Sequence, residues 1–320
     1  MFVAPGQLNR LIRRLGMACA FALAALTIMA KTDRALSQPP VRAGNHAPGD
    51  APSWPELKQF YDVDNNKDPV VKEEVRTATA AYSVHIVLTG PNGQQVPGGF
   101  LRPKADGVYP VILLLHGPTS SKDAMLKAYG IPLINHGFAV LALDAPFHGE
   151  RANPEKDPLD TSNFGDAIHE GCREYRRAID WLIRRKDIDG HRIGVLGYSL
   201  GAMMGAILGA VDDRVQDLVL CAGGDPIVSF APNVPEGKRD RMYSISPSLF
   251  IGHIAPRRVL MLNSKTDTVM ILTATLRLYD AAADPKSIEW YESDHILPDS
   301  HISRAVNWLT EKLNPLPVNP

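Results

Sequence analysis

Between residues 82 and 313 short apolar runs recur, separated by longer stretches in which apolar residues return every three or four positions. The runs at 111–115, 138–143, 193–196, 218–220 and 259–262 are nearly unbroken. Strands covered on both faces read this way, whereas half-exposed strands alternate. Segments 82–89 and 99–102 alternate more strictly and come first, so they predict an antiparallel start at one sheet edge; 287–292 predicts the last strand. The whole is an α/β pattern, a mostly parallel, doubly wound sheet flanked by helices.

The helical stretches carry their own signals. Ile168, Cys172, Tyr175, Ile179, Leu182 and Ile183 form one apolar stripe, and Arg173, Arg176, Arg177, Arg184 and Arg185 form the other face, which reads as a solvated surface. Gly201, Gly205 and Gly209 recur every four residues. Each lowers helix stability by about 1 kcal/mol against alanine, so the ridge implies close packing on the sheet. Segment 225–256 is broken by five prolines and predicts a short lid or rim, as does 145–163.

The first residues differ from the rest. Arg10, Arg13 and Arg14 precede an uncharged run at 15–30, and Ala35-Leu36-Ser37 offers small residues where a signal peptidase reads. That run is shorter than the ~20 residues of a comfortable membrane span, so residues 1–37 predict an export signal that is removed, leaving no stable membrane span; a retained anchor is the lesser possibility. Residues 38–75 read as a proline-rich linker and lead-in, 76–314 as the folded domain and 315–320 as a loose tail.

Composition then narrows the function. The 320-residue chain is 45% apolar and 22% charged, with a formal charge of -1. The leader carries Arg10, Arg13, Arg14, Lys31 and Arg34 against Asp33, so its removal takes the charge from -1 to -5. Such a balance excludes an electrostatic nucleic-acid binder. Three cysteines are too few for a disulfide scaffold or a cysteine zinc site. Two of them, Cys172 and Cys221, follow the leader and can pair or remain core thiols.

The chemistry centres on Gly197-Tyr198-Ser199-Leu200-Gly201. A G-x-S-x-G match alone is weak, but here a predicted strand precedes it and a predicted helix follows, which places Ser199 on a strand-to-helix turn. A serine hydroxyl needs a base within hydrogen-bond reach and an acid to orient that base. Asp267 follows the run at 259–262 and His295 follows 287–292, so both fall on the sheet rim that carries Ser199. Asp225 is the alternative acid and His301 the alternative base, although His301 reads as a surface residue. Asp294 reads as a loop aspartate, and Asp144 and His148 as residues that shape the loop after the second buried run.

These segments carry a resemblance. With Leu115-His116-Gly117, Asp144-Ala145-Pro146-Phe147-His148-Gly149, Gly197 to Gly201, Asp267 and His295-Ile296-Leu297-Pro298, the chain resembles the α/β-hydrolases, nearest to their dienelactone-hydrolase-like, acetyl-xylan-esterase-like and prolyl-peptidase-like branches. The resemblance implies Ser199 as nucleophile, His295 as general base and then acid, and Asp267 as orienting carboxylate. A dienelactone hydrolase proper has cysteine at the nucleophile; Ser199 here points to a serine esterase. One oxyanion donor is expected from the N–H of Leu200. The other comes in relatives from the residue after His-Gly, here Pro118, which has no N–H, so Thr119 is expected to supply it. The expected activity is hydrolysis of a small-molecule or saccharide ester with no metal and no organic cofactor. A prolyl-type peptidase is the alternative, an acyltransferase a lesser one, and a catalytically silent binding protein the alternative of another class. Acyl and alcohol specificity and oligomeric state are not legible.

Overall fold

The nearly unbroken apolar runs become the central strands of a nine-stranded sheet among the described residues, because alternate side chains of each feed two different cores. In β4 (Tyr109–Leu115), Val111, Leu113 and Leu115 face one core and Ile112 and Leu114 the other. The same split holds for β5 (Ala139–Leu143) and β7 (Val215–Cys221). A computed structural model describes residues 51–64, 68–77, 81–157, 160–228 and 234–313. The proposed leader and tail lie outside them.

In chain order the elements are α1 (Trp54–Gln59), β1 (Val71–Thr77), β2 (Tyr82–Thr89), β3 (Gln95–Arg102), β4, then α2, a helical stretch of Lys122–Met125, a π turn Leu126–Gly130 and Ile131–Asn135, and β5. There follow α3 (Thr161–Leu182), β6 (Ile188–Tyr198), α4 (Leu200–Val211), β7, α5 (Glu236–Tyr243), β8 (Arg258–Ser264), α6 (Leu272–Ala281), β9 (Lys286–Tyr291) and α7 (Ser300–Leu313). Strand order is β1-β2-β3-β5-β4-β6-β7-β8-β9. Pairing is antiparallel from β1 to β5 and parallel from β5 to β9. Side chains from α3, α4 and α6 fill the core on one face, and those from α2 and α7 fill the other. Chain order reverses around β4, and in open α/β sheets the crevice beyond the strand C-termini at such a reversal is where ligands bind.

Four expectations need correction. Within the expected linker and lead-in at 38–75, the described residues 51–64 and 68–75 are part of the fold: α1 docks Leu57, Tyr61 is wholly buried, and an edge strand, β1, begins at Val71. The arginine face of α3 is not simply solvated, because Arg176 donates to the carbonyl of Tyr61 (2.6 Å), Arg177 to that of Asp64 (3.2 Å), and Arg184 and Arg185 pair with Asp68 and Glu73. The guanidinium groups hold the upstream segment against the domain. Ile183 leaves the stripe, since α3 ends at Leu182 and the side chain turns to solvent. Finally, segment 225–256 is no simple lid: Tyr243, Phe250, Ile251 and Ile254 are core residues, and Asp225 gathers the segment by accepting from the N–H of Ile227 and Ser248 and from the hydroxyls of Ser246 and Ser248.

Cys172 and Cys221 are free thiols. They belong to cores on opposite sheet faces, so the sheet itself keeps them apart.

Candidate active site

β6 ends at Tyr198 and α4 starts at Leu200, leaving Ser199 alone to make the turn at φ 55 and ψ -115. A non-glycine residue seldom occupies that region, and the surroundings must hold it there. Ser199 N–H donates to the carbonyl of Cys221 at the end of β7 (2.9 Å). Any Cβ on Gly197 would strike the carbonyl of Gly201, and any Cβ on Gly201 would strike that of Leu115. The two glycines are therefore a packing requirement of the turn, and the turn sets the hydroxyl at the C-terminal rim of the parallel strands.

Two later strands bring the partners. Asp267 lies three residues beyond β8 and His295 four beyond β9. His295 Nε2 is 3.0 Å from Ser199 Oγ, and His295 Nδ1 is 2.8 Å from Asp267 Oδ2. The other carboxylate oxygen, Oδ1, accepts the N–H groups of Val269 and Met270, both at 2.8 Å. With Asp267 accepting a hydrogen bond from Nδ1–H, the Nε2 lone pair is presented to the serine hydroxyl. The Asp267 carboxylate is fully buried while the imidazole is 15% exposed, so solvent reaches the ring and not the carboxylate.

The competing residues go elsewhere. Asp225 is committed to its own loop, as described above. His301 corrects its surface reading: it is buried, with Nδ1–H donating to the Pro298 carbonyl (2.6 Å) and Nε2 facing Tyr129 Oη (2.7 Å). Asp294 accepts from the N–H and hydroxyl of Thr268, bonds that hold its carboxyl below the usual range. Asp144 does shape its loop, accepting from the N–H groups of Lys122 and Glu150 and pairing with Lys122 Nζ at 3.1 Å.

Leu200 is buried as the first residue of α4, where a backbone N–H has no acceptor within the helix. Across from it, Gly117 packs against the elbow; a Cβ there would lie 3.3 Å from both Ser199 Cβ and the Tyr198 carbonyl. Ser120 N–H closes the following turn on the Gly117 carbonyl (3.3 Å), and Thr119 occupies it at φ 58.

Two contributors were not singled out in the sequence. His116 bridges loops: Nδ1–H donates to the Gly117 carbonyl (2.8 Å) and Nε2 accepts Ala145 N–H (3.0 Å). Both ring nitrogens are thus spent on fixed backbone partners, and burial pushes the pKa down to about 4, so the ring stays neutral with no lone pair free for a substrate proton. Tyr198 bonds the loop that bears His295. Neither role has a periodicity or spacing that would reveal it.

On the same rim, the β2–β3 turn, the start of α3 and part of the 145–163 segment surround an open cavity of about 500 Å³, lined by Asn92, Gln94, Phe147, Arg151 and Glu170 among others. None of Ser199, Asp267 and His295 lines it.

Sheet order, elbow and flanking helices define an α/β-hydrolase-fold protein. The family model described as alpha/beta hydrolase fold matches residues 110–255, from β4 to just before β8. A curated relative named putative esterase YitV, from Bacillus subtilis, is 22% identical over 224 residues, which are 62% of this chain and 88% of that protein. An Escherichia coli relative, a 31.7 kDa protein from the traX-finO intergenic region, is 26% identical over 140 residues; the match takes in 43% of this chain and 46% of that protein, so this chain spans about half its length. Among solved structures, an acetyl xylan esterase from Paenibacillus sp. R4 superposes with a TM-score of 0.67 at 17% identity, over 81% of this chain and 92% of that one.

Proposed function

We propose that the protein is a serine hydrolase that cleaves a carboxylic ester through an acyl-serine intermediate. The observation that carries this reading is the continuous chain Ser199 Oγ, His295 Nε2, His295 Nδ1, Asp267 Oδ2, with both links at 3.0 Å or less. Ser199 Oγ attacks the ester carbonyl as its proton passes to His295 Nε2. The imidazolium, held by Asp267, returns that proton to the leaving alkoxide, and the acyl group stays on Ser199. Water then attacks the acyl carbon, giving its proton to His295; the bond from that carbon to Ser199 Oγ breaks, His295 returns the proton to Oγ, and the acid leaves. The N–H groups of Leu200 and Thr119 are the donors assigned to the oxyanion. Losing one such donor typically costs about 3 kcal/mol of transition-state stabilisation. The YitV relative and the acetyl xylan esterase neighbour, both bearing esterase names, support an ester over an amide. The leader pattern at 1–37 supports export before the enzyme acts.

The test is turnover of p-nitrophenyl acyl esters of increasing chain length and labelling by a fluorophosphonate. Both should be present in the wild type and absent in Ser199→Ala. A Ser199→Ala variant that still hydrolyses esters refutes the assignment, and faster cleavage of aminoacyl-proline amides than of esters would favour the peptidase alternative.

A further inference from the structure

His295 comes from a loop, not from a buried strand. β9, which leads to it, is an edge strand whose six residues are all only half-buried, and in the loop beyond it Leu297 is buried in the core. Hydrogen bonds hold the rest of the loop around that apolar anchor. On the Asp267 side they are plain: Ser264 and Thr266 hydroxyls both donate to the Ser293 carbonyl, and Thr268 holds Asp294.

On the nucleophile side the tie is Tyr198. Its hydroxyl donates to the carbonyl of His295 (2.8 Å) and accepts the N–H of Leu297 (2.9 Å), so both capacities of the phenol are spent on the two residues around the loop's bend. The ring stands edge-on to the His295 imidazole, with centroids 6.1 Å apart, and edge-on to His301 at 6.0 Å. His301 in turn holds the Pro298 carbonyl. Tyr198 is also the last residue of β6 and the immediate neighbour of Ser199. Its backbone is thus fixed by the central sheet and its side chain by the histidine loop.

From this juxtaposition we propose that Tyr198 is a positioning residue that sets the distance between Ser199 Oγ and His295 Nε2 by anchoring the His295 loop to the nucleophile elbow. The inference rests on the reading of Ser199 and His295 as nucleophile and base. Tyr198 touches neither reacting atom; it acts through the main chain on both sides of His295. A 1 Å misplacement of a catalytic group costs roughly 100-fold in rate, so a lost anchor is expressed in the chemical step and not in substrate affinity.

The experiment compares wild type, Y198F, H295A and the double variant, with p-nitrophenyl acetate turnover, fluorophosphonate labelling rate and thermal unfolding. Y198F should remain folded, lose roughly 10- to 100-fold in kcat and in labelling rate, and keep KM within about twofold. In the H295A background the same change should have no further effect, because the anchor has nothing left to position. A residue that matters only for folding would lower the melting temperature and the amount of active enzyme, with kcat per labelled site unchanged. If Y198F does not fold, 4-fluorophenylalanine at 198 fills the hydroxyl's space without a donor and is held to the same kcat loss. A kcat within twofold of wild type in either folded variant, or an undiminished loss in the H295A background, overturns the proposal while leaving the hydrolase reading intact. Wild type that neither turns over esters nor labels removes the hydrolase reading, and this inference with it.

Discussion

Asp267 gives one carboxylate oxygen to His295 Nδ1 and the other to two backbone N–H groups, so neither oxygen is free to rotate away. The acid therefore fixes a tautomer as well as a position. Asp267→Asn keeps the shape but can offer an amide N–H to Nδ1, which turns the imidazole into the tautomer with its proton on Nε2, facing the serine. We expect kcat to fall by on the order of 10³- to 10⁴-fold with the melting temperature little changed, as steady-state kinetics and calorimetry on the same preparation will show. An Asn variant with more than a tenth of wild-type kcat would reassign the acid.

The proposed mechanism requires His295 uncharged, because a protonated Nε2 cannot accept the Ser199 proton. Activity should therefore decline as the pH is lowered. His116, neutral down to about pH 4, adds no second limb near neutrality. A profile flat from acid to alkaline pH would remove His295 as base.

Stability has its own acid limb, with opposing contributors. Burial pushes His116 down to about 4 and His169 to about 3, both below an exposed imidazole. Between the unfolded histidine value near 6.5 and those values the unfolded chain binds more protons than the folded one, so stability is full above that range and falls as pH drops through it. Asp217 acts the other way. Burial raises its carboxyl to about 6 despite its pairing with Arg258 and Trp308, so the folded state holds more protons between about 4 and 6 and gains as pH falls. Asp217→Asn removes that gain. Melting curves from pH 7 to 4 should show a steeper acid loss in the variant than in wild type, the difference at most about 3 kcal/mol; parallel curves would mean Asp217 does not titrate in this range.

The first two glycines of the ridge face different neighbours. At Gly201 an added Cβ meets the Leu115 backbone, which cannot yield; at Gly205 it comes within 3.0–3.1 Å of Val195 and Leu220 side chains, which can give slightly. Gly201→Ala should destroy both the elbow and folding yield, whereas Gly205→Ala should cost no more than about 1 to 3 kcal/mol, partly offset by alanine's better helix propensity. Equal effects at both positions, read from denaturant unfolding, would contradict this packing.

What was legible in the sequence follows the physics of each element. β4 to β8 are covered on both faces, so apolar residues fill them continuously and mark them. β1 reads Val71-Lys72-Glu73-Glu74-Val75-Arg76-Thr77, as an edge strand facing solvent can, and nothing in that run signals a strand. His301 was misread because histidine at the start of an amphipathic helix looks solvent-bound; only its bond to Tyr129, distant in the chain, shows otherwise. The positions of Ser199, Asp267 and His295 on one rim follow from strand order alone. The Tyr198 anchor depends on a side chain reaching across to another loop, and no local pattern encodes that.

The upstream segment offers the plainest contrast between a linker and an integral part of the fold. Tyr61 is wholly buried, its hydroxyl donates to the Ser244 carbonyl, its ring meets Phe250 edge-on at 5.5 Å, and Arg176 holds its carbonyl. A linker residue could be truncated at no cost. Removing a buried aromatic typically costs about 3 to 5 kcal/mol, which in a domain of this size lowers the melting temperature by at least roughly 6 °C. Tyr61→Ala should show that fall, and Arg176→Ala a smaller one of the same sign, since it removes the donor to the Tyr61 carbonyl and one partner of Asp212. The partners of Tyr61 are Ser244, Arg176, His169 and Phe250, none of which belongs to the Ser199, His295 and Asp267 set, so kcat at 25 °C should be preserved in the folded fraction. A Tyr61→Ala protein melting with the wild type would return residues 51–64 to the status of linker.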